Sequence, residues 1–216
     1  MAPAAAAVQL DAYPYLDYLT YLGPAVVCLA IFMGSMVSGG LQVLEDRMFG
    51  YHEGYLVTPI TTGTLVAGNV LAGALVASLA GGLVLAAILV ITPLSVAGGT
   101  SVAAAAATVF LTSTAIAALW FLLFARARSA SLLRGMFGII NVLLFFPSGA
   151  LYPVESYPSW LLSISAVDPL TYGVRALRNL LLRGAAPRAV YSDWVFLATF
   201  TVVSGVLTKV LFRREV

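Results

Sequence analysis

Residues 54–125 read GYLVTPITTGTLVAGNVLAGALVASLAGGLVLAAILVITPLSVAGGTSVAAAAATVFLTSTAIAALWFLLFA and contain no Asp, Glu, Lys, Arg or His. Charged groups are costly in hydrocarbon, so an absence this long indicates that lipid surrounds the stretch. One helix crosses about 30 Å of hydrocarbon with about 20 residues, so the stretch fits two crossings. The residues Thr92-Pro93-Leu94 and Gly98-Gly99 supply the break between them. The fold is therefore predicted to be an all-α polytopic membrane protein.

The composition supports the same class. The chain has 216 residues, of which 61% are hydrophobic and 9% charged, and its mean hydropathy is +1.00. Soluble domains carry about 25% charged residues. A net charge of only +2 gives no indication of a nucleic-acid partner. Cys28 is the only cysteine, so an internal disulfide is excluded, and its apolar surroundings favour a packing role.

Along the whole chain, five segments are long and apolar enough to be predicted as spans, and two of them lie within the charge-free stretch. They lie at about 23–44, 62–92, 102–124, 135–152 and 194–212. Residues 1–17 are predicted to be a flexible, Ala-rich leader, and residues 18–216 a single transmembrane domain.

The positions of Lys and Arg predict the orientation. Arg126, Arg128 and Arg134 lie between the third and fourth spans, and Arg213 and Arg214 follow the fifth, whereas the leader has no basic residue. Because positive charge marks cytoplasmic loops, the N-terminus is predicted to lie outside and the C-terminus in the cytoplasm. Alternation then places the segment between the last two spans outside, although it carries four arginines. That segment must have structure of its own.

The predicted spans lack catalytic groups. His52 is the only histidine, and no HExxH, Cys pair or GxxxxGK[ST] sequence occurs, so the chain is predicted not to be an enzyme. No Asp or Glu lies within a span core, which disfavours an ion-coupled carrier. Energy for uphill transport would have to come from another polypeptide. The polar residues available for a substrate path are Asn69, Thr108, Thr112, Asn141 and Ser148.

Small residues recur at helical spacing in the first two spans. Gly73, Ala77 and Gly81 form a ladder in the second span, and Gly34 and Ser38 form a pair in the first. Small residues let helix backbones approach closely in lipid. Packing within the subunit is the favoured interpretation, and a subunit contact or the lining of a transport path are the alternatives.

Residues 45–60, EDRMFGYHEGYLVTPI, connect the first two spans on the predicted cytoplasmic side. They are dense in charged and aromatic groups. Thr58-Pro59 predicts a helix start, because proline disfavours helix at the preceding residue and suits the first turn. A short interfacial helix is predicted, and the alternative is a solvated loop whose aromatic side chains lie in the headgroup belt.

Residues 153–184 are predicted to form an outer hairpin, re-entrant or interfacial, before the last span. Prolines at 147, 153 and 158 exclude a straight span, and Asp168-Pro169 predicts an N-cap with a first-turn proline. Irregular backbone at membrane depth needs protein or a cavity around it, so this hairpin is expected to cap a cavity with its arginines facing water or headgroups. A surface amphipathic helix without a transport role is the alternative. The candidate residues are Pro147, Gly149, Pro153, Pro158, Trp160, Asp168, Pro169, Arg175 and Arg178.

These two segments resemble those of ABC-2 type exporter permeases. In that family a Gly, a Glu and a Leu-x-x-Pro lead into a long membrane helix, as do Gly50, Glu53, Leu56 and Pro59 here. The outer segment, with Pro147-Ser148-Gly149 and Asp168-Pro169-Leu170-Thr171-Tyr172, also resembles the family's segment before its last span. The resemblance extends from about residue 18 to the C-terminus.

The resemblance implies an ATP-driven exporter of a hydrophobic or amphipathic substrate: a drug, a lipid or a glycan. It implies two copies of an ATP-binding subunit, a second permease copy or paralogue in a homo- or heterodimer, membrane lipid around them and a bacterial or archaeal plasma membrane. ATP and Mg²⁺ would bind the partner, and no cofactor would bind this chain. The residues expected to couple to the ATPase are Glu45, Asp46, Arg47, Phe49, Gly50, Glu53, Tyr55, Thr58 and Pro59.

One departure from the family pattern stands out. The family has six spans, and the five predicted here resemble its fold without the first helix. A truncated reading of a longer gene, or a first helix supplied by another polypeptide, would explain the difference. Two other functions stay open at this point: an ion-coupled secondary transporter, and a non-transport membrane scaffold or regulatory subunit.

Overall fold

A computed structural model describes residues 18–41, 45, 49, 61–91, 99–124, 130–152, 154 and 157–212. Within this part of the chain the regular structure is helical, without strands, which confirms the predicted all-α class. A π-helical turn, Met36–Leu41, extends the first helix, and a 3₁₀ turn, Pro187–Val190, precedes the last one. The α-helices are α1 (Tyr18–Ser35), α2 (Thr62–Ile91), α3 (Gly99–Phe124), α4 (Ala130–Phe145), α5 (Ser159–Ser165), α6 (Pro169–Leu181) and α7 (Tyr191–Phe212).

Four helices in the described ranges are each long and apolar enough to cross a membrane by themselves, and α4 is shorter. The four are α1 with its π-helical turn, α2, α3, and α7 with the 3₁₀ turn before it. The predicted fourth span, 135–152, has different bounds, because α4 begins at Ala130 and ends at Phe145. Its 16 residues extend about 24 Å, which is most of the hydrocarbon thickness of about 30 Å. Pro147 explains the end, since proline disfavours helix at the residue before it.

The first predicted span, 23–44, also has different bounds. The α-helix begins earlier, at Tyr18, and changes to π-helical turns at Met36. Gly39 and Gly40 lie in that turn, and two adjacent glycines weaken the regular α-helical geometry. The other predicted spans agree with α2, α3 and α7 to within about three residues.

The third helix, α3, is the centre of the molecule. It packs against α1, α2, α6 and α7, and most of its side chains from Thr112 onward are buried. Near one end, the Trp120 ring lies 5.3 Å from that of Phe32 and 5.6 Å from that of Phe124, measured between ring centroids. A charge-free helix can be buried on all sides in this way because its backbone polar groups bond within the helix.

The small residues of α1 and α2 face each other. A Cβ atom added to Gly34 would lie 3.1 Å from the Ala77 backbone, and one added to Gly81 would lie 2.5 Å from the Ile31 side chain. The Ser38 hydroxyl donates to the carbonyls of Gly34 at 2.7 Å and Gly73 at 3.2 Å. The structure therefore confirms that these small residues pack within the subunit.

Two predicted regions fall mainly outside the described residues. The leader, residues 1–17, is entirely outside them. In the coupling segment 45–60 only Glu45 and Phe49 are described. The predicted hairpin is described at 154 and from 157 onward.

Candidate functional site at the outer hairpin

The helical structure stops abruptly after Phe145, and the tight turn over residues 146–150 is the break after α4. Residues 146–149 turn, and Gly149 adopts a positive φ of 74°. The Ser148 hydroxyl donates to the Phe145 carbonyl at 2.6 Å and accepts from the Ala150 amide at 3.3 Å. A Cβ at Gly149 would lie 2.5 Å from the Val154 side chain, so glycine is required there for both conformation and space. The predicted interruption by Pro147, Ser148 and Gly149 is thus present.

Arg178 on α6 binds this break. One guanidinium nitrogen donates to the Gly149 carbonyl at 2.6 Å and another to the Ala150 carbonyl at 2.8 Å. The guanidinium carbon also lies 3.9 Å from the centre of the Tyr21 ring on α1, a cation–π contact. A single side chain therefore joins α6 to the break after α4 and to α1.

The prediction that all the arginines face water or headgroups is wrong for Arg178. Its residue surface is only 6% exposed. A buried guanidinium is tolerated where carbonyl oxygens and an aromatic face replace water, and both are present here. Arg183 and Arg188 are exposed, as predicted.

Asp168 begins α6 as predicted, with Pro169 in the first turn. The Asp168 carboxylate accepts a hydrogen bond from the Leu170 amide at 3.0 Å and another from the Thr171 hydroxyl at 3.1 Å. The side chain is buried, and burial raises the pKa of this carboxyl from 3.8 to about 7, although the hydrogen bonds act in the opposite direction. The helix start is therefore a buried acid that titrates near neutral pH.

A second polar contact fixes α6 to α7. Arg175 pairs with Asp193, donating from Nε at 3.0 Å and from a terminal nitrogen. The Arg175 guanidinium lies 4.7 Å from the centre of the Tyr172 ring, and that ring stacks on Phe196 with centroids 3.6 Å apart. Asp193 is buried, whereas the Arg175 side chain is half exposed. The Arg175 guanidinium therefore supplies the positive charge that a buried carboxylate needs.

The hairpin presents apolar groups at its tip. Helix α5 begins after Pro158, and Trp160 and Val167 are each about two-thirds exposed, at 65% and 67%. The Tyr172 hydroxyl donates to the Ala166 carbonyl at 2.8 Å, which closes the turn between α5 and α6. Exposed Trp at such a position is typical of a membrane interface.

The predicted path residues do not form one site in this structure. Thr108 and Thr112 are fully buried on α3: Thr108 accepts from the Trp194 indole at 2.8 Å, and Thr112 packs against Gly173. Asn69 is half-buried and donates to the Leu65 carbonyl at 3.0 Å. Asn141 is half-buried on α4, and Ser148 lies in the break. Their role in a substrate path stays a prediction.

The coupling segment is described at two positions. The Phe49 amide donates to the Glu45 carbonyl at 2.9 Å, which is one turn of helical spacing, and Phe49 is 68% exposed. The predicted contacts Asp46, Arg47, Gly50, Glu53, Tyr55, Thr58 and Pro59 lie outside the described residues. Pro153 of the predicted hairpin is outside them as well.

Two partners of the hairpin, Tyr21 and Asp193, were not predicted from the sequence. The hydrogen bond from Trp194 to Thr108 was not predicted either. The sequence carried a signal for Asp193, because it is an acid directly before an apolar span in a chain with few charges. An acid in that position needs a cationic partner. No comparable signal identified Tyr21, since nothing local links it to a residue more than 150 positions away.

Comparison with known proteins adds the following. Residues 6–182 match the family described as ABC-2 type transporter. Over 208 residues the chain is 24% identical to YbhR, named a probable multidrug ABC transporter permease, in two strains of Escherichia coli, K12 and O157:H7, covering 94% of this chain and 55% of that protein. Over 180 residues it is 26% identical to ycf38 of Cyanophora paradoxa, named as a transport permease, covering 83% of this chain and 59% of that protein.

The chain thus spans a little over half the length of the curated relatives it matches. No solved structure matches it. The family match covers most of the chain and includes α1, the break after α4 and the outer hairpin. This polypeptide belongs to the ABC-2 type transporter family.

Proposed function

We propose that this chain is the membrane permease subunit of an ATP-driven exporter, with its energy supplied by a separate ATP-binding subunit. The observation that carries the proposal is the family match over residues 6–182. That family consists of ABC transporter membrane subunits, so transport rather than catalysis is the function to test. The substrate, the ATPase partner and the direction of transport are the proposed parts.

The hairpin geometry supports a mechanical role. Arg178 connects α6 to α1 and to the break after α4, and Arg175 connects α6 to α7. A displacement of α1 or α7 is therefore expected to move the outer hairpin with it, because packed and hydrogen-bonded elements move as units. Motion that begins at the cytoplasmic side can reach the outer face by this route.

The coupling segment 45–60 is the proposed docking site for the ATPase. Glu45 and Phe49 are both exposed and belong to one helical turn, which suits a short element that presents side chains to a partner. Charged pairs and aromatic anchors are common at such interfaces. Glu53 and Tyr55 are proposed as further contacts on the strength of the family resemblance.

The arginines of the outer segment fit an outside location for the hairpin. Arg175 is paired with Asp193, and Arg178 is buried against two carbonyls and a ring. The cytoplasmic preference applies to basic residues of short loops near the spans, and two of the four here are already committed to internal contacts. We therefore propose a cytoplasmic C-terminus and a cytoplasmic coupling segment.

A hydrophobic or amphipathic substrate is proposed. The spans carry no free acid or base at mid-depth that would select an ion, and Asn69, Asn141 and Ser148 supply only neutral polar groups. The curated relative YbhR is named a multidrug permease, which is compatible with this class. Two states with different affinity for such a molecule are sufficient for export.

The decisive experiment replaces Glu53 by Gln in the complex with its ATPase. Substrate-stimulated ATP hydrolysis and export by reconstituted vesicles are expected to fall together, whereas Arg188→Gln, on the exposed outer segment, should leave both near wild type. Unchanged coupling and export in the Glu53→Gln complex would remove the docking role. Export that survives ATP depletion but stops when the ion gradient collapses would assign a secondary transporter instead.

A further inference from the structure

An open apolar groove lies between α2 and α7, and the proposed export mechanism does not use it. Its volume is about 400 Å³, within the range of ligand sites. Small residues create it: Gly63 and Ala67 on α2 and Gly205 on α7. A Cβ atom added to Gly205 would meet nothing within 4 Å, so the groove is unfilled at that point.

The polar groups in the walls are already bonded within their own helices. Thr114 donates to the Phe110 and Leu111 carbonyls, at 3.1 and 2.8 Å, and Thr201 donates to the Leu197 carbonyl at 2.8 Å. The walls therefore offer a ligand hydrocarbon contact and little hydrogen bonding. An occupant must be apolar along this length.

One end of the groove carries a cation. The Lys209 ammonium lies over Gly63, at 3.6 Å from the position a Cβ would take there. Lys209 is exposed, and in the described part of the chain it has no carboxylate within 4.0 Å. From Thr201 to Lys209 the helix rises about 12 Å, which is most of one leaflet's hydrocarbon.

We propose that this groove binds one acyl chain of an anionic phospholipid whose phosphate pairs with Lys209. Charge complementarity supports this occupant, because the Lys209 ammonium lies at one end of an exposed apolar groove. On the proposed topology the Lys209 end lies in the cytoplasmic leaflet, where anionic lipids attract basic groups. The site itself does not depend on ATP-driven export, since lipid binding can be measured without transport.

The test is native mass spectrometry of the full purified chain, titrated with phosphatidylglycerol and with phosphatidylcholine of the same acyl composition. Wild type is expected to retain one phosphatidylglycerol with about fivefold preference over phosphatidylcholine, the effect of one Lys near the headgroups. Lys209→Gln should abolish the preference, and Lys209→Arg should keep it.

A second pair of variants tests the apolar groove. Gly205→Leu is expected to fill the groove, because a Cβ at this position meets nothing within 4 Å, and it should remove retention of both lipids. Gly82→Leu is the matched control, because Gly82 also has nothing within 4 Å but does not line the groove. Helical content by circular dichroism checks that each variant is folded.

Any of these results would overturn the proposal: preference for phosphatidylglycerol that persists in Lys209→Gln, lipid retention that persists in folded Gly205→Leu, or equal loss of lipid in Gly82→Leu. A lipid-free dimer that dissociates on Gly205→Leu would assign the groove to a second copy of the chain, and would likewise overturn the lipid site.

Discussion

At the scale of single residues, Arg178 joins the hairpin to α1 and to the break after α4. Its guanidinium donates to two carbonyl oxygens in the break after α4 and lies over the Tyr21 ring. Such carbonyls are costly when buried without a donor, about 1–3 kcal/mol each. Removal of the Arg178 side chain is therefore expected to lower the free energy of unfolding more than removal of an exposed charged side chain does.

Replacing Arg178 by Met is predicted to lower the apparent melting temperature of the detergent-purified chain by at least about 4 °C. Lys should give an intermediate loss, because an ammonium lacks the planar fork that reaches two acceptors. The exposed Arg188→Met is the control and should change little. Equal melting temperatures for the Arg178 and Arg188 variants would show that the carbonyl contacts do not stabilise the break.

Gly149 supports a second residue-scale prediction. Gly149→Ala is expected to destabilise the chain by about 1–2 kcal/mol, because alanine at positive φ is strained and its Cβ would meet Val154. Gly138→Ala on α4 is the matched control, since a Cβ there meets nothing and alanine favours helix. Thermal unfolding of both variants distinguishes them, and a stability gain at both positions would contradict the assignment.

At the scale of elements, α6 of the outer hairpin is an amphipathic helix that is fixed at several points. Its apolar face, with Leu170, Val174, Leu177 and Leu181, is buried in the core. Its polar groups are then committed to α1, α4 and α7. The predicted alternative of a helix lying on the surface does not fit this burial.

The buried carboxyl of Asp168 at the start of α6 predicts that the stability of the folded chain depends on pH. Since burial raises the pKa of Asp168 from 3.8 to about 7, the folded hairpin holds a proton that the unfolded chain releases. The stabilisation from this bound proton is complete below 3.8, the pKa of Asp168 in the unfolded chain. It is lost as the pH rises through about 7, the pKa of Asp168 in the folded chain. Wild type is therefore expected to melt a few degrees higher at about pH 5.5 than at about pH 8.

Asp168→Asn isolates this effect, because Asn also caps a helix but does not titrate. The difference in melting temperature between wild type and Asp168→Asn should change with pH across this window. A difference that is constant from about pH 5.5 to about pH 8 would mean that Asp168 keeps one protonation state throughout.

At the scale of the whole molecule, α1, α2, α6 and α7 pack around α3, and the outer surfaces of α2 and α7 are apolar and exposed. This arrangement buries hydroxyl groups at the centre and leaves hydrocarbon outside. The proposed topology assigns each end of this bundle to one side of the membrane.

Cysteine labelling tests that topology. In a Cys28→Ala background, Trp160→Cys and Phe49→Cys place single thiols at two exposed positions at opposite predicted sides. A membrane-impermeant maleimide applied to intact cells is expected to label the Trp160→Cys variant and not the Phe49→Cys variant. Permeabilised cells should show labelling of both. Labelling of the Phe49→Cys variant in intact cells would invert the proposed orientation.

The sequence by itself determined the class and the positions of the long helices. A charge-free run of 72 residues excludes water as the surrounding solvent, and Pro and Gly mark where helices stop. The Asp168 cap and the small-residue pairing of α1 with α2 were predictable because each depends on residue type at a fixed spacing.

Only the tertiary structure decided where the polar groups go. Arg178 could not be distinguished from an exposed arginine by its neighbours in sequence, since its partners are residues 21, 149 and 150. The end of α4 was likewise predicted too far along the chain, because apolar residues continue past the point where the backbone turns. Composition decides which residues avoid water, whereas the partners of the few remaining charges depend on distances that only the folded chain sets.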